Sequence, residues 1–136
     1  MKITILTYGS QGDVQPFIPL SLGLMDKGHD VKLAAPARFK SLVEAQKIPF
    51  VPLAGDPEGL SRTLNDSGRN IIKTVRGLLD HAIEIGADIF LQTENVSQDA
   101  DLIIHTFMHS VGAHTLAREM KIPDIHIQLF PIFTPT

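Results

Sequence analysis

Two groups of residues in this chain have the types and spacing to do chemistry. The first is Gly9-Ser10-Gln11-Gly12-Asp13, where two glycines, a hydroxyl, an amide and a carboxylate are adjacent. A glycine-containing turn that opens a helix leaves backbone N–H groups facing outward, and the helix dipole favours negative charge there. A diphosphate therefore fits beside Ser10, Gln11 and Gly12. The competing reading is a tight strand-to-helix turn with Asp13 as N-cap, and residue types alone leave both open. The loop is neither G-x-x-x-x-G-K-[ST] nor G-x-G-x-x-G, and Ala34-Ala35-Pro36 offers no acidic residue to hold a ribose, so a dinucleotide is disfavoured.

The second group is His105, His109 and His114. Imidazoles at this spacing suit zinc, yet there is no cysteine in the chain and no evident carboxylate beside them, so no metal is expected. His105 and His109 read as substrate contacts or packing, and His114, inside a helix, as structural. Asp99-Ala100-Asp101 has oxygen ligands for a divalent cation. It precedes a strand, however, and so reads as a solvated turn at the amino edge of a sheet.

These positions take their meaning from the elements around them. Residues 3–7 form an apolar run rich in β-branched side chains, closed by glycines, which predicts a buried strand. Phe17, Leu20, Leu24 and Met25 then recur at helical spacing, with Gly28 at the C′ position. Pro16 and Pro19 fit only in a first turn, which starts the helix near residues 13–15. A second strand over 31–35, a short helix over 38–46 and a third strand over 50–53 follow. Residues 54–68 have loop composition, and Ile71, Leu78, Leu79, Ile83 and Phe90 trace one stripe of a long amphipathic helix. A fourth strand over 102–104, a helix over 111–120 and a fifth strand over 125–129 complete the series, before Phe130 to Thr136 read as a loop cut in mid-course.

Strands alternating with helices predict an α/β fold, a Rossmann-like doubly wound parallel sheet. Ligands of such sheets bind beyond the carboxyl ends of the strands, here just after Tyr8, Ala35, Leu53, Ile104 and Leu129. A length of 136 residues with 43% hydrophobic content predicts a single domain. The formal net charge of −3, with basic residues scattered, argues against nucleic acid. The absence of cysteine fits a reducing compartment. The amino-terminal apolar run is too short for a signal peptide and no stretch is long enough to span a bilayer, which together predict a soluble, cytoplasmic protein.

Gly9-Ser10-Gln11-Gly12-Asp13-Val14-Gln15-Pro16-Phe17, followed by Leu20, Gly23-Leu24 and Lys27-Gly28-His29-Asp30-Val31, resembles the N-terminal domain of family-28 and sterol-type glycosyltransferases. Ala35-Pro36 with Phe39, Phe50-Val51-Pro52-Leu53, Asp101 to Ile104 and Ala117 to Pro123 extend the likeness. The resemblance implies a two-domain GT-B architecture, with this chain as the acceptor-binding half and the domain holding most of the nucleotide sugar absent from it. It also implies inversion at the sugar carbon without a metal or bound cofactor, the nucleotide sugar, UDP-linked, serving as co-substrate. The Asp of Gly-Asp is the proposed base in sterol- and antibiotic-type members, which maps to Asp13. Gln11 departs from the Arg that many members carry, so a guanidinium contact to phosphate is not expected there.

Within this reading, acceptor contacts are expected from His105, Thr106, Phe107 and His109 after the fourth strand, with Phe130 and Phe133 as an apolar wall. Such a cleft suits a sterol, a polyketide or another lipophilic alcohol, and with it peripheral membrane contact. Two other classes stay open on the residues alone: a stand-alone small-molecule module using the same crevice, and an interaction domain using the stripe over residues 71–90.

Overall fold

A computed structural model describes residues 1–54, 86, 88 and 90–129. The expected loop over 54–68, most of the stripe over 71–90, and Phe130 and Phe133 lie outside the described residues.

Strand β1, Lys2–Leu6, is followed by two helices rather than the expected one: α1, Gln11–Val14, and α2, Phe17–Asp26. The prolines explain the break. Pro16 has no N–H to donate to the Gly12 carbonyl one turn back, and Pro19 has none for Gln15, whose oxygen is taken instead by the Ile18 amide at 3.2 Å. At the other end of α2, the Gly28 amide bonds the Met25 carbonyl at 2.9 Å and His29 bonds Leu24 at 3.2 Å. That pairing requires a left-handed C′ residue, and Gly28 has φ +83°.

Strand β2, Asp30–Pro36, leads through a 3-10 turn, Ala37–Phe39, into helix α3, Lys40–Glu44, and strand β3, Phe50–Leu53. Residues 90–97 are helical (α4), and β4, Leu102–His105, follows. A second 3-10 turn, Phe107–His109, opens helix α5, Ser110–Met120, before β5, Asp124–His126. The fifth strand is shorter than expected: it spans Asp124–His126, the Ile127 amide makes the last bond to the β4 edge, at 2.9 Å to the His105 carbonyl, and residues 128–129 lie beyond it.

All five strands are parallel, in the order β3-β2-β1-β4-β5. Successive side chains point to opposite faces, so each central strand feeds two cores. Ile3, Ile5, Val31, Leu33 and Ile104 join Val14, Phe17, Phe39 and Val43 on the face covered by α2 and α3. Leu6, Ala34, Leu53 and Ile103 join Ala113, Leu116 and Ala117 of α5 on the other. Helices on both faces explain why the inner residues of β1, β2 and β4 are buried on both sides, Thr4 among them. This is the Rossmann-like doubly wound sheet expected from the pattern.

β1 lies between β2 and β4, so the chain winds outward from it in both directions. The chain leaves β1 for helices on one face and β4 for α5 on the other, and in sheets of this kind ligands bind in the crevice beyond the carboxyl ends at such a switch point. At the opposite edge Asp99 pairs with the ammonium groups of Lys2 and Lys32, and Asp101 accepts from the Lys2 amide at 2.7 Å. The two lysines hold Asp99 below its ordinary carboxylate pKa, through the Lys32 hydrogen bond first and then that of Lys2. Asp99 ties β1 and β2, and Asp101 ties β1, to the start of β4, at the edge opposite the switch point.

Candidate functional site at the β1 and β4 carboxyl ends

The loop after β1 is built around Asp13. Ser10, not Asp13, is the N-cap of α1, and Asp13 occupies the third helical position. Its carboxylate turns back along the helix, where Oδ2 accepts the Ser10 amide at 2.6 Å and the Ser10 hydroxyl at 2.8 Å. An acidic residue three positions after the cap satisfies an otherwise orphaned amide and faces the positive end of the helix, which is why the sequence suggested a cap but misplaced it by one turn. Oδ1 makes no hydrogen bond among the described residues. Thr7 anchors the turn from beneath, donating from Oγ1 to the Asp13 carbonyl at 2.8 Å.

Gly9 makes this geometry accessible. Its φ of +137° is disfavoured for L side chains, and a Cβ there would sit 2.3 Å from Asp13 Oδ2. The backbone of Gly9 thus forms a wall directly against the carboxylate. Ser10, Gln11 and Gly12 are exposed at the mouth of the turn, but the amide and hydroxyl of Ser10 are already engaged by Asp13. The place an external anion would take at this turn is occupied by the protein's own carboxylate.

Across the switch point, the Thr106 amide bonds the Leu6 carbonyl at 3.1 Å, which brings the loop after β4 alongside that after β1. His109 is buried in the 3-10 turn that follows. Its ring meets Tyr8 edge-on, with centroids 6.2 Å apart, and Nδ1 lies 3.2 Å from Thr93 Oγ1 on α4. Nε2 is buried without a hydrogen-bond partner among the described residues, as is Thr106 Oγ1. Burial, and secondarily the charge of His105, push the His109 pKa down to about 4. The imidazole is therefore neutral near pH 7. Phe107, between them, is 52% exposed.

His105 faces elsewhere. Its Nε2 donates to Asp124 Oδ2 at 3.0 Å, and its ring stacks on His126 at 5.3 Å, so it is directed toward β5. Exposed His114 on α5 donates from Nδ1 to the same carboxylate at 3.1 Å. Burial acts to raise the Asp124 pKa, but the hydrogen bonds from His105 and His114 outweigh it and hold the carboxyl below its ordinary value. Asp124 is thus the carboxylate partner that sequence reading did not find for the histidines. The one available signal was the register: parallel pairing sets His105 against His126, which places Asp124, two residues earlier, on the same face. Among the described residues no group of three or more His, Asp or Glu is arranged to hold a metal ion. No described helix is long and apolar enough to cross a membrane.

The model of the glycosyltransferase family 28 N-terminal domain matches residues 3–123. The chain belongs to this family. Two curated relatives of this family-28 domain are sterol 3-beta-glucosyltransferases. That of Sclerotinia sclerotiorum is 34% identical, covering 90% of this chain and 8% of the relative. That of Emericella nidulans is 35% identical, covering 90% and 9%. The chain therefore spans less than a tenth of the length of these relatives.

Among solved structures, the glycosyltransferase SsfS6 of Streptomyces sp. SF2575 superposes with a TM-score of 0.62 at 26% identity, covering 93% of this chain and 38% of that one. The calicheamicin glycosyltransferase CalG4 gives 0.73 at 16% identity, over 92% and 31%, a likeness of fold. The family-28 match includes the Asp13 turn, both loops of the crevice and the His105–Asp101 strand region, and stops before Asp124.

Proposed function

We propose that this family-28 domain is the acceptor-side half of an inverting glycosyltransferase, that a second domain supplies most of the nucleotide-sugar site, and that Asp13 is the catalytic base. The observation that carries the reading is the placement of Asp13. It stands at the first β-to-α turn, at the topological switch point, with one carboxylate oxygen bound by Ser10 and the other without a partner among the described residues.

In the reaction, Asp13 Oδ1 takes the proton of the acceptor hydroxyl as its oxygen attacks the anomeric carbon. The bond from that carbon to the diphosphate breaks with its electron pair leaving on the nucleoside diphosphate. Glycoside, nucleoside diphosphate and protonated Asp13 result, with configuration inverted because attack and departure are on opposite faces. The Ser10 bonds fix the carboxylate, so that its basic lone pair need not be reoriented in the transition state. Closure of the second domain over the crevice would remove water from the base.

The acceptor in this reading is a lipophilic alcohol such as a sterol or polyketide, consistent with relatives named sterol 3-beta-glucosyltransferase. Phe107 offers apolar surface to it, while neutral His109 and Thr106 offer the buried polar atoms behind that surface. His105 belongs to the support of β4, through Asp124, rather than to the acceptor wall. Gln11 and Gly12 lie nearest the donor diphosphate. With Ser10 committed to Asp13, the proposal assigns most of the donor's binding energy, and that of its uridine group, to the second domain.

The test is transfer of glucose from UDP-glucose to a sterol by the two-domain transferase that carries this domain, with the product's anomeric configuration read by NMR. A β-glucoside from the α-linked donor is expected. Retention of configuration, or no transfer to any lipophilic alcohol, overturns the proposal. The 136-residue chain by itself should bind UDP-glucose weakly; calorimetry giving a Kd below about 10 μM would contradict the assignment of the donor to the other domain.

A further inference from the structure

Arg38 stands in the 3-10 turn after β2, and its guanidinium reaches into a different β-α unit. Nη2 donates to the carbonyl of Gly9 at 3.0 Å. The guanidinium carbon also lies 4.7 Å from the centroid of the Phe39 ring, and Phe39 is buried in the core beneath β1 and β2. One side of Arg38 therefore rests on rigid core, and its donor end holds a loop.

The carbonyl it holds belongs to the residue that walls the Asp13 carboxylate. Gly9 leaves no room for even a methyl group beside Oδ2, and the next residue, Ser10, supplies both hydrogen bonds to that oxygen. Displacing the Gly9 peptide moves the wall and the donors together. The far end of the loop is held by Thr7 under the Asp13 carbonyl and by buried Val14, whereas Ser10 to Gly12 are exposed and α1 is only four residues long, so Arg38 supplies the hold at the Gly9 end.

We propose that Arg38 is a positioning residue for Asp13, clamping the Gly9 carbonyl so that the loop after β1 holds the carboxylate in one place. The chain of contacts runs from Phe39 through Arg38 and Gly9 to Asp13. It couples the loop after β2 to the base, a link that no spacing in the sequence shows. The functional half of this inference rests on Asp13 being the base; the structural half does not.

Two measurements test it. In the full chain, hydrogen exchange of the Ser10 amide followed by NMR should be at least about tenfold faster in Arg38→Ala than in the wild type, with the denaturant midpoint and core amides unchanged. Arg38→Lys, which keeps a cationic donor but loses the guanidinium over Phe39, should fall between them. Unchanged Ser10 exchange in Arg38→Ala overturns the clamp whatever the enzyme does.

In the two-domain transferase, Arg38→Ala should lower kcat by about tenfold to a hundredfold with the KM for nucleotide sugar unchanged, as a misplaced base would. Arg38→Lys should recover part of the loss. Wild-type kcat in Arg38→Ala beside an inactive Asp13→Asn overturns the positioning role and leaves the base assignment intact. A raised KM for nucleotide sugar with kcat retained also overturns it, since Arg38 would then be binding donor. Full activity in both variants instead sinks the reading of Asp13.

Discussion

His105 donates to Asp124 across the β4–β5 edge, Nε2 to Oδ2 at 3.0 Å, and exposed His114 binds the same carboxylate from α5. One side chain on the outermost strand thereby fastens a buried strand end and a helix together. The crevice-lining loop after β4 begins at the next residue, Thr106, so this fastening sits directly behind the candidate site.

Removing Asp124 should cost more than removing either contact alone would suggest. Asp124→Ala leaves the buried His105 Nε2 without its acceptor, a penalty of about 1–3 kcal/mol. His114 is 58% exposed, so His114→Ala should change stability by less than about 1 kcal/mol. Urea unfolding midpoints of the two variants check the ordering. Equal losses would show that the carboxylate serves mainly the surface imidazole.

His109 makes stability depend on pH. Its folded pKa, pushed down to about 4 by burial, lies below the ordinary value of 6.5, so the unfolded chain binds the proton more tightly. The sign follows: the native state is unaffected above pH 6.5 and loses stability as pH falls from 6.5 toward 4, by about 3 kcal/mol in total from this group. In His109→Gln the corresponding slope should vanish between those limits. Unfolding free energies measured across that interval with an unchanged slope in the variant would rule out His109 as the source.

Gly9→Ala should destabilise the chain by about 1–3 kcal/mol, because a non-glycine residue is strained at this φ. Its Cβ would also collide with the Asp13 carboxylate. The two costs are separable. Combined with Asp13→Ala, the collision disappears and only the backbone strain remains, so the double variant should be more stable than the sum of the single losses indicates. Strict additivity would mean that Gly9 does not press on Asp13.

The sheet was legible because its signal is local. Ile3, Ile5 and Leu6, Val31 and Leu33, and Ile103 and Ile104 are consecutive or alternate apolar residues in strands buried on both faces, and the helices between them follow their own period. The break between α1 and α2 was harder to see, because Pro16 and Pro19 are compatible both with a first turn and with a kink. Residue types and the family resemblance single out Asp13 as the candidate base, but its place as third residue of α1 depends on the helix starting at Gln11, earlier than the apolar pattern reveals.

Contacts between separate β-α units were not legible at all. Arg38 reaches Gly9 across 29 positions, and Asp124 reaches His105 across 19; neither is implied by any spacing within an element. Each becomes visible once β2 and β5 are set beside their neighbours in register. Ile127 and Leu129 have the residue types of a strand, which extends the expected β5 to 129, although the residues paired with β4 are Asp124–His126.

Asp13→Asn in the proposed two-domain transferase tests the central claim most directly. Asparagine keeps an oxygen for the Ser10 bonds, so α1 remains capped and the fold intact. It cannot accept the acceptor's proton. Single-turnover transfer at saturating UDP-glucose and sterol should therefore fall by about a hundredfold to ten-thousandfold, with the KM for donor little changed. A folded Asp13→Asn enzyme that transfers sugar at close to the wild-type rate would contradict the assignment of the base, and with it the proposed mechanism.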